Sequence, residues 1–89
     1  MIETTITIIN KLGLHARASA KFVATCSKFQ SHIEVVKGDK VVNGKSIMGV
    51  MMLAAQKNAE LTLRIDGPDE AEMEQALKHL ILTRFGEED

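Results

Sequence analysis

The sequence is poor in the residues on which nucleic-acid binding depends. It contains no tryptophan or tyrosine, and aromatic residues make up 3% of the chain. The aromatic platforms on which the bases of single-stranded nucleic acids usually stack are therefore missing. Eleven basic and twelve acidic residues give a formal net charge of −1, whereas a nucleic-acid-binding domain is normally strongly basic. We expect no nucleic acid among the partners of this protein.

Cysteine and long apolar runs are equally scarce. Cys26 is the only cysteine, so no internal disulfide can form, and a reducing compartment is the simpler assumption. Its place on the apolar side of a predicted helix is typical of a buried structural thiol. No apolar run approaches the roughly 20 residues of a membrane span, and the N-terminus lacks the pattern of a signal peptide. We expect a cytoplasmic protein without membrane insertion.

The size and the histidines of the chain argue against a cofactor or a metal. Eighty-nine residues, 45% of them hydrophobic, are typical of one globular domain spanning residues 1–89. Such a domain has little room for a cofactor cavity. The three histidines, His15, His32 and His79, do not have the spacing of metal ligands. We expect His32 at a strand edge and His79 on a helix surface, both without a special role.

The first half of the chain predicts a strand, a helix and a hairpin. Apolar and polar residues alternate from Ile2 to Ile8, which is the period of a half-buried strand. Helical spacing then predicts a helix from Ala16 to about Phe29. Two strands around residues 33–35 and 41–42 should be joined by a hairpin turn at residues 37–40. The residues expected on or beside the inward face of the helix are Ala16, Ala20, Phe22, Val23, Cys26 and Phe29.

The second half predicts a short helix over the apolar run 47–55 and a strand over residues 61–65. The resulting order is β-α-β-β-α-β-α when the last helix is included. Hairpin neighbours and one-sided amphipathic helices indicate an α/β two-layer sandwich with a mainly antiparallel sheet. The other face of the sheet should be exposed to water.

The last helix carries its own start and stop signals. Asp69 is the expected N-cap, with Glu72 completing a capping box, and Gly86 should end the helix. We expect an ion pair between Glu74 and Lys78, and a solvated acidic tail at residues 87–89. The inward stripe should consist of Met73, Ala76, Leu77, Leu80 and Ile81.

His15 combines features that suit a phosphoryl acceptor. It lies where the first strand pattern gives way to a helix pattern. Free backbone N–H groups and the helix dipole attract anions at such a place. Arg17 adds a planar fork suited to phosphate, and imidazole is nucleophilic near neutral pH. The residues alone leave a second interpretation open, a surface-loop histidine beside an arginine.

A second segment of interest begins at Ser46. This residue is the expected N-cap of the short helix, and capping alone explains it. A phosphate added there would be favoured by the helix N-terminus and by Lys45. The residues that follow are too apolar for one short helix to bury completely, so they either complete the core or form an exposed docking surface. They are Ile47, Met48, Met51 and Met52.

The chain resembles the HPr family, the histidine-containing phosphocarriers of the bacterial phosphotransferase system. The resemblance covers nearly the whole length and includes the order of elements. Two motifs carry it, KLGLHAR at residues 11–17 and NGKSIMG at residues 43–49. The resemblance implies a four-stranded sheet of order 1-4-2-3, covered on one face by three helices.

The resemblance also implies a function. His15 would be phosphorylated on Nδ1 by Enzyme I and would pass the group to an enzyme II component such as an enzyme IIA. Arg17 would stabilise the phosphate together with backbone N–H groups of Ala16, Arg17 and Ala18. Ser46 matches the serine that HPr kinase/phosphorylase modifies in lineages with that enzyme. The docking surface implied for the partners comprises Ala16, Ala20, Ile47, Met48 and Met51, and the carrier would be a monomer.

One departure from the family pattern affects the site. Most members have proline directly after the arginine, whereas this chain has Ala18, which keeps an N–H that proline would lack. The alternatives to a sugar-transport carrier are a nitrogen-related paralogue with a mainly regulatory role, a non-catalytic regulatory α/β domain, and a small phosphatase. A carrier or a regulatory domain would not turn over a small molecule independently, whereas a phosphatase would.

Overall fold

A computed structural model describes residues 1–87 of the chain. The elements follow the predicted order and end in a short 3₁₀ turn at Arg84–Gly86. The strands are β1 (Ile2–Thr7), β2 (His32–Lys37), β3 (Lys40–Asn43) and β4 (Glu60–Asp66). The helices are α1 (Ala16–Cys26), α2 (Ile47–Met52) and α3 (Glu70–Leu82).

The four strands form one antiparallel sheet of order β1-β4-β2-β3. This confirms the predicted two-layer sandwich and its strand order. Alternation places the odd residues of β4 in the core and its even residues on the open face. On that open face Arg64 lies between Glu3 of β1 and Glu34 of β2, with nitrogen–oxygen distances of 3.1 and 3.7 Å. These two ion pairs link neighbouring strands on the solvent-exposed face and so stabilise the register of the sheet.

The three helices cover one face of the sheet and bury the apolar core between the layers. The largest fully buried side chains include Phe22 of α1, Met73 and Leu77 of α3, and Leu61 and Leu63 of β4. Each such side chain contributes roughly 1.5–3 kcal/mol through removal from water. Within residues 1–87, no helix is both long and apolar enough to cross a membrane.

Helix α1 differs from the prediction in its end and in its buried face. It ends at Cys26, because Lys28 and Phe29 donate to carbonyls three residues earlier, and the chain turns there. The buried positions are Ala18, Ser19, Phe22 and Cys26, which are spaced three and four apart. Ala16 and Ala20, expected beside the inward face, are exposed instead.

Helix α3 begins without the predicted capping box, which was wrong. The Asp69 carboxylate leaves its own helix and accepts hydrogen bonds from the N–H groups of Gln30 and Ser31, both at 2.9 Å. At the start of the helix it is instead Glu70 that binds a backbone N–H group, since its Oε1 accepts a hydrogen bond from Gly67 N–H at 3.1 Å. Asp69 therefore joins the end of the α1–β2 loop to α3 instead of capping the helix.

The end of α3 also lies earlier than Gly86. The helix stops at Leu82, and the Thr83 hydroxyl donates to the carbonyls of His79 and Leu80 at 2.9 and 3.1 Å. The inward stripe is confirmed for the three buried residues of the helix, which are Met73, Leu77 and Ile81. The ion pair between Glu74 and Lys78 is confirmed at 3.2 Å.

Candidate functional site

The loop before α1 is held in one shape by Asn10 and Gly13. Asn10 is completely buried, and its Nδ2 donates to the Gly13 carbonyl at 2.8 Å. Gly13 has a φ of +66°, a left-handed conformation that glycine adopts without steric cost. The next residue, Leu14, donates its N–H to Ala55 O at 2.8 Å. The loop therefore fixes the backbone from which His15 projects.

His15 occupies the N-cap of α1, which agrees with its predicted place at the start of a helix. Its backbone is extended, and its carbonyl accepts the N–H of Ser19 at 2.8 Å. The imidazole does not cap the helix, so the ring is available for other contacts. Its side chain is 28% exposed, which makes it a surface histidine with one protected side.

The first turn of α1 presents positive charge and N–H groups beside His15. Ala16 and Arg17 are exposed, whereas Ala18 is completely buried. The N–H groups at the start of a helix have no acceptor within it, and together with the dipole they attract anions. Among residues 1–87, no hydrogen bond or ion pair engages the Arg17 guanidinium. Two of the three predicted backbone donors thus lie at residues that reach the surface.

Glu87 contacts the imidazole and is the site residue that sequence reasoning missed. Its Oε2 meets Nε2 of His15, and its Oε1 accepts from Asn10 Nδ2 at 3.0 Å. Desolvation raises the pKa of Glu87, but the hydrogen bonds from His15 and Asn10 outweigh it, and the net pKa is lowered. The Glu87 carboxylate therefore stays ionised at neutral pH.

The C-terminal turn brings Glu87 to this place. Arg84 and Phe85 both have a φ of 56° and Gly86 has a φ of 76°, and the left-handed conformation costs roughly 1–2 kcal/mol for each non-glycine residue. Burial of Phe85, which is 1% exposed, offsets this cost. Lys21 also donates from Nζ to the Phe85 carbonyl at 2.6 Å.

The expected solvated tail was therefore wrong for Glu87, and the rest of that tail, residues 88–89, lies outside the described residues. Phe85 is an aromatic residue near the end of the sequence, and its burial is what packs this segment onto the domain.

Ser46 is the N-cap of α2, as predicted. Its hydroxyl oxygen accepts the N–H of Gly49 at 3.1 Å. Lys45 does not accompany it, because the Lys45 ammonium donates to the Phe29 carbonyl at 2.7 Å, at the end of the turn after α1. The sequence predicted that Lys45 would favour a phosphate on Ser46, but in the structure the Lys45 ammonium is already engaged by the Phe29 carbonyl.

The apolar residues of α2 divide between the core and the surface. Val50 and Leu53 are completely buried. The exposed fractions are 42% for Ile47, 71% for Met48, 44% for Met51 and 68% for Met52, and Leu12 in the loop before His15 is 67% exposed. Helices α1 and α2 pack against each other. The exposed apolar residues of α1, of α2 and of the loop before α1 are together called the α1–α2 apolar surface. They are Leu12, Ala16, Ala20, Ile47, Met48, Met51 and Met52.

Two members of this surface, Leu12 and Met52, were absent from the docking surface that the resemblance implied. The other predicted interface residues are exposed, so of the two alternatives from the sequence, completing the core or forming an exposed surface, the structure shows exposure.

His32 and His79 are exposed on β2 and α3 respectively, as predicted.

Known proteins resemble this chain over its whole length. A family model described as the PTS HPr component phosphorylation site matches residues 2–83. The phosphocarrier protein HPr of Neisseria meningitidis is 59% identical over 87 residues, or 98% of each chain. The crystal structure of HPr-C-His from Thermoanaerobacter tengcongensis has a TM-score of 0.96 at 52% identity and covers 100% of both chains. That of an HPr dimer from the same organism has a TM-score of 0.76 at 52% identity, over 98% of this chain and 100% of that one.

Proposed function

The chain belongs to the HPr family of phosphocarriers of the phosphotransferase system, and we propose that His15 carries the phosphoryl group on its Nδ1. In this proposal Enzyme I donates the group and an enzyme IIA component receives it. The position of His15 at the N-cap of α1 carries the proposal, because the ring is partly exposed and is not used in capping.

The surroundings of His15 suit a group that gains a doubly negative phosphoryl moiety. The exposed Arg17 can close over the phosphate with two parallel hydrogen bonds. The N–H groups of Ala16 and Arg17 and the helix dipole add further positive potential. Phosphoryl transfer needs positioning and neutralisation of charge more than covalent machinery, and these are what the start of α1 supplies.

The α1–α2 apolar surface is proposed as the docking site for the partner enzymes. Exposed methionines adapt to partners of different shape, and an exposed apolar patch of this kind marks an interaction site. One surface beside one phosphorylated histidine would let the carrier meet a donor and an acceptor in turn. The protein would be a co-substrate of both enzymes, with no independent turnover of a small molecule.

Ser46 is proposed as a regulatory phosphorylation site for HPr kinase/phosphorylase, in a cell that has this enzyme. The hydroxyl lies at the start of α2, next to Ile47, so a phosphate would place about two negative charges at the edge of the docking surface. Binding of partners would weaken through desolvation of these charges. We further propose that the carrier acts as a monomer in the cytoplasm.

The alternatives differ in what happens to labelled phosphate. We would incubate the protein with Enzyme I and labelled phosphoenolpyruvate, with His15→Ala as the control. The proposal predicts a stable, acid-labile adduct on the parent and none on the variant. Absence of label would favour a non-catalytic regulatory domain, and rapid release of free phosphate would favour a phosphatase.

A further inference from the structure

We propose that Glu87 is a positioning residue that keeps the proton of the neutral His15 imidazole on Nε2, so that the lone pair of Nδ1 faces the incoming phosphorus. This inference rests on the proposed function and deepens it. It assigns a role to a residue that lies outside both sequence motifs and beyond residues 2–83 of the family match.

The hydrogen bonds around Glu87 decide which ring nitrogen carries the proton. A carboxylate accepts hydrogen bonds and donates none, so the hydrogen between Glu87 Oε2 and His15 Nε2 must belong to the ring. The other carboxylate oxygen accepts from Asn10 Nδ2 at 3.0 Å, and Nδ2 also donates to the Gly13 carbonyl at 2.8 Å. Asn10 is completely buried, and it therefore holds the carboxylate at a fixed place.

The carboxylate is held from the other side by its own chain segment. Phe85 is anchored in the core, and its carbonyl accepts the Lys21 ammonium at 2.6 Å. Only Gly86 separates this anchor from Glu87. Because both ends of the contact are fixed, the ring cannot turn over without losing the bond to Glu87. Nδ1 is left as the nitrogen that can react.

The same arrangement favours the phosphorylated ring. When the Nδ1 lone pair forms the N–P bond, the bond from phosphorus to the donor breaks, and its electron pair leaves with the donor atom. The ring keeps its proton on Nε2 and becomes a positively charged phosphoimidazolium. Glu87 lies against that positive charge, as the aspartate does beside the histidine of a serine-protease triad. On transfer to the acceptor the steps reverse, and the ring returns to its neutral form with the proton still on Nε2.

The test uses phosphoramidate, a small phosphoryl donor, so that it does not depend on any partner enzyme. His32→Gln and His79→Gln would be introduced into every protein, so that His15 is the only imidazole. The Glu87→Ala and Glu87→Gln variants would be compared with this parent. Glu72→Ala and Glu72→Gln serve as matched controls, since Glu72 is an exposed glutamate on α3. ³¹P NMR separates Nδ1- from Nε2-phosphohistidine and gives the rate of each.

We expect the parent and the Glu72 variants to form Nδ1-phosphohistidine. Glu87→Ala should slow this reaction roughly tenfold, because a charge-assisted hydrogen bond is lost, and should gain an Nε2 product. Glu87→Gln keeps a carbonyl acceptor, so it should retain the Nδ1 product at a reduced rate. The Nε2 proton of His15, protected from exchange by the carboxylate, should be observable in the parent and lost in Glu87→Ala.

Either of two results would overturn the role of Glu87. One is a Glu87→Ala variant with the product ratio and rate of the Glu72 controls. The other is an Nε2 proton signal that survives in Glu87→Ala. Failure of Enzyme I to label the parent would contradict the proposed function instead, and the phosphoramidate reaction would still report on Glu87.

Discussion

The backbone N–H of Leu14 donates to Ala55 O at 2.8 Å, and this bond ties the loop before His15 to the segment after α2. A Cβ on the preceding Gly13 would lie 2.4 Å from the same oxygen and 2.8 Å from Gln56 Cα. Because the contacting atoms belong to the backbone, a side chain cannot make room by changing rotamer. The loop needs glycine both for its positive φ and for the space.

Gly13→Ala should therefore destabilise the domain more than an alanine in a comparable backbone conformation elsewhere. Gly38 is the matched control, because its φ is +61° and nothing lies within 4 Å of an added Cβ. We expect Gly38→Ala to lower the free energy of unfolding by about 1 kcal/mol and Gly13→Ala by about 3 kcal/mol or more. Urea denaturation measures both, and equal losses would show that the approach to Ala55 O is relaxed at no cost.

Arg17 should contribute to phosphoryl transfer and hardly at all to stability. The guanidinium is exposed and has no partner among residues 1–87, so Arg17→Ala should leave the unfolding midpoint close to that of the parent. Its loss from the phosphorylated site should cost on the order of 1.5–3 kcal/mol, or roughly tenfold or more in the transfer rate. Arg17→Lys should recover only part, since an ammonium lacks the planar fork.

The rate of labelling by Enzyme I, followed by rapid quench, tests the role of Arg17. Arg64→Ala is the control, because Arg64 lies on the open face of the sheet, away from the helices. A transfer rate for Arg17→Ala within twofold of the control would mean that the phosphate is held by other groups.

Phosphorylation of Ser46 should weaken docking without unfolding α2. Its phosphate would lie at the edge of the α1–α2 apolar surface, next to Ile47, which is 42% exposed. We expect the affinity for Enzyme I to fall roughly tenfold, or about 1.4 kcal/mol, while the thermal unfolding midpoint stays near that of the parent. Ser46→Asp should show a smaller loss of affinity, since it carries less charge.

Ser46→Ala separates capping from charge. It removes the hydroxyl that accepts from Gly49 N–H, so it should lower stability by about 1 kcal/mol and leave the affinity unchanged. Calorimetric titration of Enzyme I with the unmodified protein, the Ser46-phosphorylated protein, Ser46→Asp and Ser46→Ala gives the comparison. Equal affinities for the phosphorylated and unmodified proteins would leave Ser46 with capping as its only role.

Asp69 should make the stability of the domain depend on pH in the acid range. Hydrogen bonds from the Ser31 hydroxyl and the Gln30 N–H lower the pKa of Asp69 below its ordinary value of 3.8. A group whose pKa is lower in the folded state stabilises that state above its ordinary pKa, and loses the contribution as the pH falls through the folded-state pKa. Asp69→Asn should thus be less stable than the parent at neutral pH.

The difference between the parent and Asp69→Asn should shrink as the pH falls below about 3.8. Urea denaturation at several pH values between about 7 and 2 measures it. Asp39→Asn is the control, since Asp39 is exposed in the turn between β2 and β3. A difference that is constant across this range would mean that the charge of Asp69 is not what stabilises the loop.

The architecture could be read from the sequence because each element carries a periodic signal of its own. The alternation in β1 and β4, the turn between β2 and β3, and the N-caps His15 and Ser46 are all local features. What failed depends on residues far apart in the chain. Asp69 looked like the start of a capping box, yet its carboxylate prefers N–H groups of Gln30 and Ser31, which only the folded chain brings near.

The candidate site divides in the same way. His15 and Arg17 are only two residues apart in the sequence, and both lie at the start of one helix, so local geometry places them near each other. Glu87 is 72 residues from His15, and no periodicity predicts that the chain turns back after α3 through three residues with positive φ. The burial of Phe85 decides that path, and burial of a single aromatic residue beyond a helix is a tertiary property.

The proposed function depends on transfer of phosphate through His15, which a two-step chase measures. The protein would be labelled with Enzyme I and phosphoenolpyruvate and then purified. The label would be located by ³¹P NMR, and the labelled protein would then be mixed with an enzyme IIA. We expect a single phosphohistidine on Nδ1 of His15 whose label moves to the enzyme IIA, and no label on His15→Ala. A label on His32 or His79, or one on His15 that passes only to water, would contradict it.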